Sequence, residues 1–391
     1  MSVFAALMSG KGTGAISTIE VFGDGGADVI EKIFEPAGNK PASFEQGRIL
    51  LGKIKKAGET IDQVTIGCEG QKSFCVHCHG NPLIVADIMA MLKQAGAKLV
   101  TTEQLLAKSI SAKGDINTIA LEAKVSQSSA KTLEGAKIIA NQIETGLSEK
   151  AGKWLGEMEA ISLDQIIADA ERILQSSRLA KLIIYGCTAV ITGPPNSGKS
   201  TLLNCLCGRE KAIVTDIKGT TRDWVSAECK IGPVFVELID TAGLDEKTVE
   251  KDFVERASQK KAIEVLQRAD LVLFVIDNSR TRDQIDGLIE RIANKKVVAV
   301  LNKCDLSAKF EAGKMSKTLG QAVKISAKLG MGIEGLLKRI ARELGAVDFD
   351  LKQPVCITSR QEDLLKKLKN AESKAEAVSV ITELLNGRFC V

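Results

Sequence analysis

The sequence predicts a multidomain protein of mixed class: a small α+β unit comes first, and an α/β unit with a mostly parallel sheet interrupts a helical domain. Three observations carry this. β-type runs dominate the first hundred residues, short apolar runs alternate with helical patterns from Cys187 to about Leu344, and Ala-, Glu-, Lys- and Gln-rich helical sequence flanks that stretch on both sides. A chain of 391 residues is also too long for one core, which rarely grows past roughly 250 residues.

Residues 1–114 form the first unit. Strand-like runs occur at Ala15–Phe22, Arg48–Ile54, Ile61–Gly67 and Phe74–His77, with helical patterns near Asp28–Phe34 and Pro82–Gln94. The pattern changes near Gly114. Residues 115–184 read as helix, most clearly in the stripe Leu163, Ile166, Ile167, Ala170, Ile173 and Leu174, opened by a Ser162…Gln165 capping box. That stripe is core packing. Residues 185–347 form the α/β unit, with strands at Thr188–Thr192, Val234–Ile239, Leu271–Ile276, Val297–Leu301 and Ala322–Ile325; strands separated by helices imply parallel pairing with both faces covered. After Pro354 a second capping box, Ser359…Glu362, opens the stripe Leu364, Leu368, Ala371, Ala375, Val378, Ile381, Leu385, so residues 348–391 complete the helical domain.

Composition excludes several functions. Lys+Arg number 53 against 49 Asp+Glu, a net +4, and aromatics are 4 %; neither an electrostatic footprint for nucleic acid nor a base-stacking surface follows. The 2 histidines, His77 and His79, exclude His-centred triads over nearly the whole chain. No apolar stretch approaches the ~18 residues of a membrane span, and the N-terminus lacks a basic leader. The 10 cysteines are scattered and are expected to be reduced, which places the protein in the cytoplasm. Cys75, His77, Cys78 and His79, with Cys68 upstream, invite a zinc reading, but strand alternation sends Cys78 to the opposite face from the other three. A strand end is the better reading. Cys205 and Cys207 read as packing, and Cys187 and Cys304 have no assigned role.

The chemistry lies between a predicted strand and helix, in Gly193-Pro-Pro-Asn-Ser-Gly198-Lys199-Ser200, which fits G-x-x-x-x-G-K-[ST]. Glycines let backbone N–H groups wrap a phosphate chain, Lys199 reaches the β/γ-phosphates, and Ser200 ligates Mg²⁺. Companions follow in order. Asp240-Thr-Ala-Gly243 ends an apolar strand and supplies an acid near the metal and a glycine N–H for the γ-phosphate. Thr220 and Thr221, in Lys218-Gly-Thr-Thr-Arg-Asp223, offer a hydroxyl to the Mg²⁺ shell. In Asn302-Lys303-Cys304-Asp305 the Asp305 carboxylate can accept from guanine N1–H and N2–H₂, while Ser326-Ala327-Lys328 offers the Ala327 N–H to guanine O6. The four motifs on successive strand ends define a P-loop GTPase domain binding GTP or GDP with Mg²⁺. Leu244 stands where small signalling GTPases carry a water-orienting glutamine; Glu250 can orient water instead, or be a solvated helix-start carboxylate.

Gly193–Ser200 with Thr201-Leu-Leu-Asn204, then Gly208–Asp223 and Ile239–Leu244, closely resembles the tRNA-modification GTPase MnmE (TrmE) family, over about Ile183–Leu344. The resemblance implies a tetrahydrofolate-binding and dimerising N-terminal domain, then a helical domain interrupted by the GTPase domain. It also implies K⁺-assisted hydrolysis on G-domain dimerisation: Asn196 matches the potassium-ligating asparagine, the Thr215 and Ile217 carbonyls match the loop capping the ion, Thr221 matches the switch threonine on Mg²⁺, and Glu250 matches the glutamate that positions water. Nucleotide contacts implied or read from the motifs are Asn196, Ser197, Gly198, Lys199, Ser200, Thr201, Thr215, Thr220, Thr221, Asp240, Gly243, Asn302, Lys303, Asp305, Ser326, Ala327 and Lys328. Family members act with the flavoprotein MnmG to place a carboxymethylaminomethyl-type group on the wobble uridine of tRNA, so a homodimer, an MnmG-like partner and jointly held tRNA are expected, without a membrane.

There are departures. The family's folate-site arginine has no counterpart in Ile16–Glu20, and Cys75 holds the position of a family glutamate four residues before the matching His79-Gly80. Lys113 matches the folate-site lysine and Cys390 the functional C-terminal cysteine, while the family's terminal lysine is absent. An alternative is therefore a divergent GTP-gated binding module without one-carbon chemistry.

Overall fold

The computed structural model describes residues 2–10, 12–38, 42–56, 58–112, 117–209, 225–240, 264–280, 286–292, 294–310 and 319–387. Two compact units emerge, one comprising Met1–Val125 with Asn386–Val391 and the other Ser126–Leu385.

The first unit is built on a seven-stranded sheet of order β3-β4-β5-β6-β2-β1-β7. Its strands are β1 Val3–Leu7, β2 Ile16–Phe22, β3 Phe34–Pro36, β4 Ile49–Lys56, β5 Glu59–Gly70, β6 Ser73–His79 and β7 Ala97–Leu99. Alternation along β2, β5 and β6 turns Ile19, Val21, Val64, Ile66, Phe74, Val76 and Cys78 into a core that Val29, Ile30, Val85, Ile88 and Leu92 of two helices complete. Those helices are Gly26–Glu31 and Pro82–Ala95, the second capped by Asn81, whose Oδ1 accepts the Leu83 N–H at 2.9 Å. The expected helix over Asp28–Phe34 is thus shorter and displaced, because Phe34 starts β3 on the sheet edge. Strands β1 and β7 and the helix Thr102–Ser111 lie outside the sequence expectation.

The cysteine–histidine run obeys the alternation. Cys68 and Cys78 point into the core cluster, Cys75 pairs across strands with Glu20, and His77 Nδ1 lies 3.0 Å from Thr18 Oγ1. His79 is held by Asp62, whose carboxylate accepts its backbone N–H at 2.8 Å and faces its Nδ1 at 2.7 Å. Among the described residues no His, Cys, Asp and Glu group can hold a metal ion.

The second unit contains the helices Leu133–Glu144, Gly146–Gly156 and Leu163–Tyr185, then a six-stranded sheet, then Ser359–Lys369 and Lys374–Asn386. Helix Leu163–Tyr185 buries Ile166, Ala170, Ile173, Ala180, Ile183 and Ile184, the face the stripe predicts, extended toward its C-terminus. Asp169 sits within that buried face because Trp154 Nε1 at 3.3 Å, Lys150 Nζ at 2.5 Å and Arg172 surround it. Burial pushes its carboxyl up, and these partners outweigh burial to hold it below the ordinary carboxylate range.

The stripe Leu364–Leu385 departs from expectation. It is two helices, because Asn370 caps the first and Ser373 opens the second by accepting the Glu376 N–H at 3.2 Å; Ala375 is exposed. The first helix is capped one residue earlier than expected, by Thr358, which accepts the Gln361 N–H at 3.3 Å.

The six strands are β8 Cys187–Thr192, β9 Val225–Ile231, β10 Val234–Asp240, β11 Leu271–Asp277, β12 Val297–Asn302 and β13 Val323–Lys324, in the order β13-β12-β11-β8-β10-β9. All neighbours are parallel except the edge pair β9–β10. Buried on both faces, β11 is apolar from Leu271 to Ile276 and turns polar only at Asp277, its last residue. Polar groups therefore gather where the parallel strands end. In an open parallel sheet, ligands bind outside those carboxyl ends.

Candidate functional site

At the carboxyl end of β8 the chain enters the glycine-rich loop and then the helix Lys199–Arg209. Gly198 takes φ +92°, and a Cβ there would lie 2.3 Å from Asn302 Nδ2, so both the turn and the close approach require glycine. Asn196 also adopts a left-handed φ of 61°, rare for a residue with a side chain. Lys199 is buried and donates to the Gly193 carbonyl at 2.8 Å and the Pro194 carbonyl at 3.2 Å, which keeps its ammonium under the loop. Ser197 is wholly buried, and its hydroxyl has no hydrogen-bond partner among the described residues. A buried hydroxyl without a protein partner costs free energy that a bound ligand oxygen can offset.

Strand β10 delivers Asp240 against this loop. Ser200 Oγ donates to Asp240 Oδ2 at 2.6 Å, and Asp240 is 5 % exposed. A serine hydroxyl beside a buried carboxylate is a set of hard oxygen donors suited to Mg²⁺.

Strand β12 ends in Asn302, which ties three loops together. Its Nδ2 donates to the Ser197 carbonyl at 2.9 Å and its Oδ1 accepts the Ala327 N–H at 3.0 Å. The Ala327 N–H, expected to serve guanine O6, is thus directed at Asn302 in this structure. Lys303, at φ 63°, donates to the Asn196 carbonyl at 2.7 Å and to Asp277 Oδ2 at 2.7 Å. Burial pushes the Asp277 carboxyl up, but Lys303 and Ser279 outweigh it and hold the group below its ordinary range. Sequence reasoning missed Asp277, although a carboxylate closing an otherwise apolar strand was its visible signal. Asp305 is held low chiefly by the Ser326 hydroxyl, with Lys328 and Lys303 adding to it. Ser326 also pairs with Met331 through backbone bonds of 3.0 and 3.1 Å, which fixes the loop carrying Ala327 and Lys328.

The structure thereby brings together Asn196, Ser197, Gly198, Lys199, Ser200, Asp240, Asn302, Lys303, Asp305, Ser326 and Ala327, with Thr201 on the helix and Lys328 on the loop. Thr215, Ile217, Thr220, Thr221, Gly243, Glu250, Lys113 and Cys390 lie outside the described residues. Of the cysteines near the motifs, Cys187 has its thiol pushed up to about 12, first by burial and then by Asp270, which removes it as a nucleophile at neutral pH.

A mostly parallel sheet whose strand ends carry a phosphate loop, a serine bonded to a buried aspartate and an Asn-Lys-x-Asp turn defines a P-loop GTPase. A protein-family model described as 50S ribosome-binding GTPase matches residues 188–303. A tRNA modification GTPase MnmE of Thermotoga petrophila is 30 % identical over 94 % of this chain and 88 % of its own length, and the MnmE of Aquifex aeolicus is 31 % identical over 93 % and 86 %. The chain belongs to the tRNA modification GTPase MnmE family and is a GTP-hydrolysing enzyme. A crystal structure of Era in complex with MgGDPNP and a segment of 16S ribosomal RNA is similar to 40 % of this chain, at 31 % identity, 56 % of that chain and a TM-score of 0.33. No described helix is long and apolar enough to cross a membrane.

Proposed function

We propose that this GTPase takes part in wobble-uridine modification of tRNA, as a cytoplasmic homodimer acting with an MnmG-like flavoprotein. The observation that carries the nucleotide half is the contact between Ser200 Oγ and Asp240 Oδ2 at 2.6 Å beside the buried Lys199. Ser200, Asp240 through water, and Thr221 would hold Mg²⁺, whose contribution is to neutralise charge on the phosphates. Lys199 moves from its loop carbonyls to the β/γ-phosphates, and the backbone N–H groups of Gly198 and its neighbours orient the chain for in-line attack. Asn196, with Thr215 and Ile217, would hold K⁺; Glu250 would orient the attacking water. Residues 1–114 would serve dimerisation, residues 115–184 with 348–391 would form the helical domain, and residues 185–347 the GTPase domain. The near-neutral net charge of +4 favours tRNA held jointly with a partner over autonomous capture. Mass spectrometry of tRNA nucleosides from a deletion strain tests this: loss of the wobble modification is expected, and unchanged wobble uridines refute it.

One observation favours the second reading, a GTP-gated module without one-carbon chemistry. Glu20 and Cys75, the two departures from the family's folate residues, are direct cross-strand neighbours. Glu20 accepts the Ser73 hydroxyl at 3.0 Å, and the Cys75 thiol is pushed up to about 12 by burial and by Glu69 and Glu20. A buried carboxylate beside a protonated thiol supplies no cation for a folate's carboxylates, which leaves that role to Lys113. Titration with 5-formyltetrahydrofolate separates the readings, since micromolar binding restores the one-carbon role.

A further inference from the structure

Strands β9 and β10 are the antiparallel edge ribbon of the six-stranded sheet, β10 pairing on its other side with β8, and in sequence they link the segment bearing Thr220 and Thr221 to the one bearing Gly243. The ribbon is paired without interruption from Ile231↔Val234 to Val225↔Asp240. At one end Asp240 receives Ser200 from the phosphate loop. The other end is fastened to the start of helix Leu133–Glu144. Lys230 Nζ lies 3.2 Å from Glu134 Oε2, and Lys131 Nζ lies 3.8 Å from Glu228 Oε1. Lys131 also sits 5.2 Å from the centroid of the Phe235 ring, which pairs across the ribbon with Lys230. Glu228 and Lys230 are two residues apart and therefore share a face. The two ion pairs run in opposite senses, cation to anion and anion to cation, so a slip of the ribbon along the helix brings like charges together.

The receiving side is rigid. The Lys131 N–H donates to the Ile184 carbonyl at 2.8 Å, Thr132 Oγ1 donates to the Ile183 carbonyl at 2.8 Å, and the same hydroxyl caps the helix by accepting the Gly135 N–H at 2.9 Å. Gly186, at φ +81°, lets the chain pass the ribbon so closely that a Cβ would lie 2.6 Å from the Phe235 carbonyl. Burial pushes the Glu134 carboxyl up, but its helix-start backbone N–H and Lys230 outweigh burial and keep it ionised.

From Phe235 to Asp240 the strand spans roughly 17 Å, a stiff rod between the helix and the metal acid. We propose that Lys131 and Glu134, acting through Glu228 and Lys230, are positioning residues for Asp240, so that the ribbon's seat on helix Leu133–Glu144 sets how strongly the site prefers GTP over GDP. The proposal rests on the Mg²⁺-holding role proposed for Asp240. By reciprocity, the nucleotide that pulls Asp240 also biases the ribbon's seat on the helix. These four side chains lie at the end of the ribbon away from Asp240.

The test uses the full chain and measures the dissociation constants of GDP and of the non-hydrolysable analogue GDPNP, with and without Mg²⁺. The variants are Lys230→Glu, Glu134→Lys and the doubly exchanged protein. Each single reversal should shift the GDP:GDPNP ratio by roughly two- to five-fold, the range an exposed ion pair can carry, and the exchanged pair should return it toward wild type. A purely structural pair would lower the melting temperature and leave the ratio unchanged. Ratios equal to wild type in both single variants overturn the proposal, as does failure of the exchanged protein to recover. Wild-type GDPNP affinity that does not respond to Mg²⁺ overturns the reading of Asp240 instead.

Discussion

Replacing Asn302 should damage the site even without nucleotide. The side chain is 2 % exposed and its amide spans two loops, with Nδ2 on the Ser197 carbonyl at 2.9 Å and Oδ1 on the Ala327 N–H at 3.0 Å. Asn302→Ala strands a buried carbonyl and a buried N–H together. Each orphaned group costs about 1–3 kcal/mol, and partial relaxation leaves a net loss of about 2–4 kcal/mol. For a unit of this size about 2 kcal/mol lowers Tm by roughly 4–8 °C. Asn302→Asp sharpens the comparison. It keeps an acceptor for the Ala327 N–H but sets an oxygen against the Ser197 carbonyl, so it should lower Tm through the phosphate loop while sparing the Ser326–Lys328 loop. The assay is thermal unfolding of the nucleotide-free protein together with the Kd for a fluorescent GDP. Affinity should fall about 30-fold or more, since each 1.4 kcal/mol is tenfold. If nucleotide-free Asn302→Ala melts within about 1 °C of wild type, the amide does not hold the loops and the reasoning fails.

Three further outcomes are expected. Exchange of K⁺ for Na⁺ should slow hydrolysis about tenfold or more, if Asn196 ligates the ion; equal turnover numbers in the two salts remove that role. Glu250→Ala should lower kcat about 100-fold with nucleotide Kd retained, and normal turnover would make Glu250 a solvated carboxylate. Lys181 and then Lys366 hold the Glu362 carboxyl down to about 2 against an ordinary 4.5. A depressed carboxyl stabilises fully above its unfolded pKa, so Glu362→Gln should cost about 1–2 kcal/mol at pH 7 after screening, and the gap to wild type should close as pH falls from about 4.5 toward 2. A gap in Tm that stays constant across that window refutes it.

How far each element could be read from the sequence follows from where its information lies. Strands β8, β11 and β12 were legible because parallel strands buried on both faces are nearly continuous apolar runs, β10 because Val-Phe-Val and Leu-Ile flank its one glutamate, and the motifs end them. Edge strand β9 escaped, since Val-Ser-Ala-Glu-Cys-Lys-Ile shows no apolar run and takes its identity from pairing with β10. Local chemistry decided the last two helices. The apolar stripe from Leu364 to Leu385 continues through Asn370, but Ser373 with Glu376 is itself a helix-start signal that outweighs it. Candidate site residues were legible as motifs; their mutual bonds were not. The Asn302 bridge and the Asp277–Lys303 pair join residues distant in sequence or loops of unknown register, and only packing of adjacent strand ends reveals them.

Tyr185 closes the helix that precedes β8, and its hydroxyl donates to the Ile357 carbonyl at 2.9 Å. Nearby, Gln142 Oε1 accepts the Val355 N–H at 3.1 Å and Ser177 Oγ accepts the Cys356 N–H at 2.7 Å. The chain thus leaves the helices and returns to them at one point, a stem from which residues 186–356 are inserted. Joining the two ends of the stem directly would close a short loop instead of a long one, a small entropic change. Helices without the sheet would thus keep their two ends adjacent, whereas the sheet without the helices would lose the stem together with its Lys230–Glu134 and Lys131–Glu228 anchors.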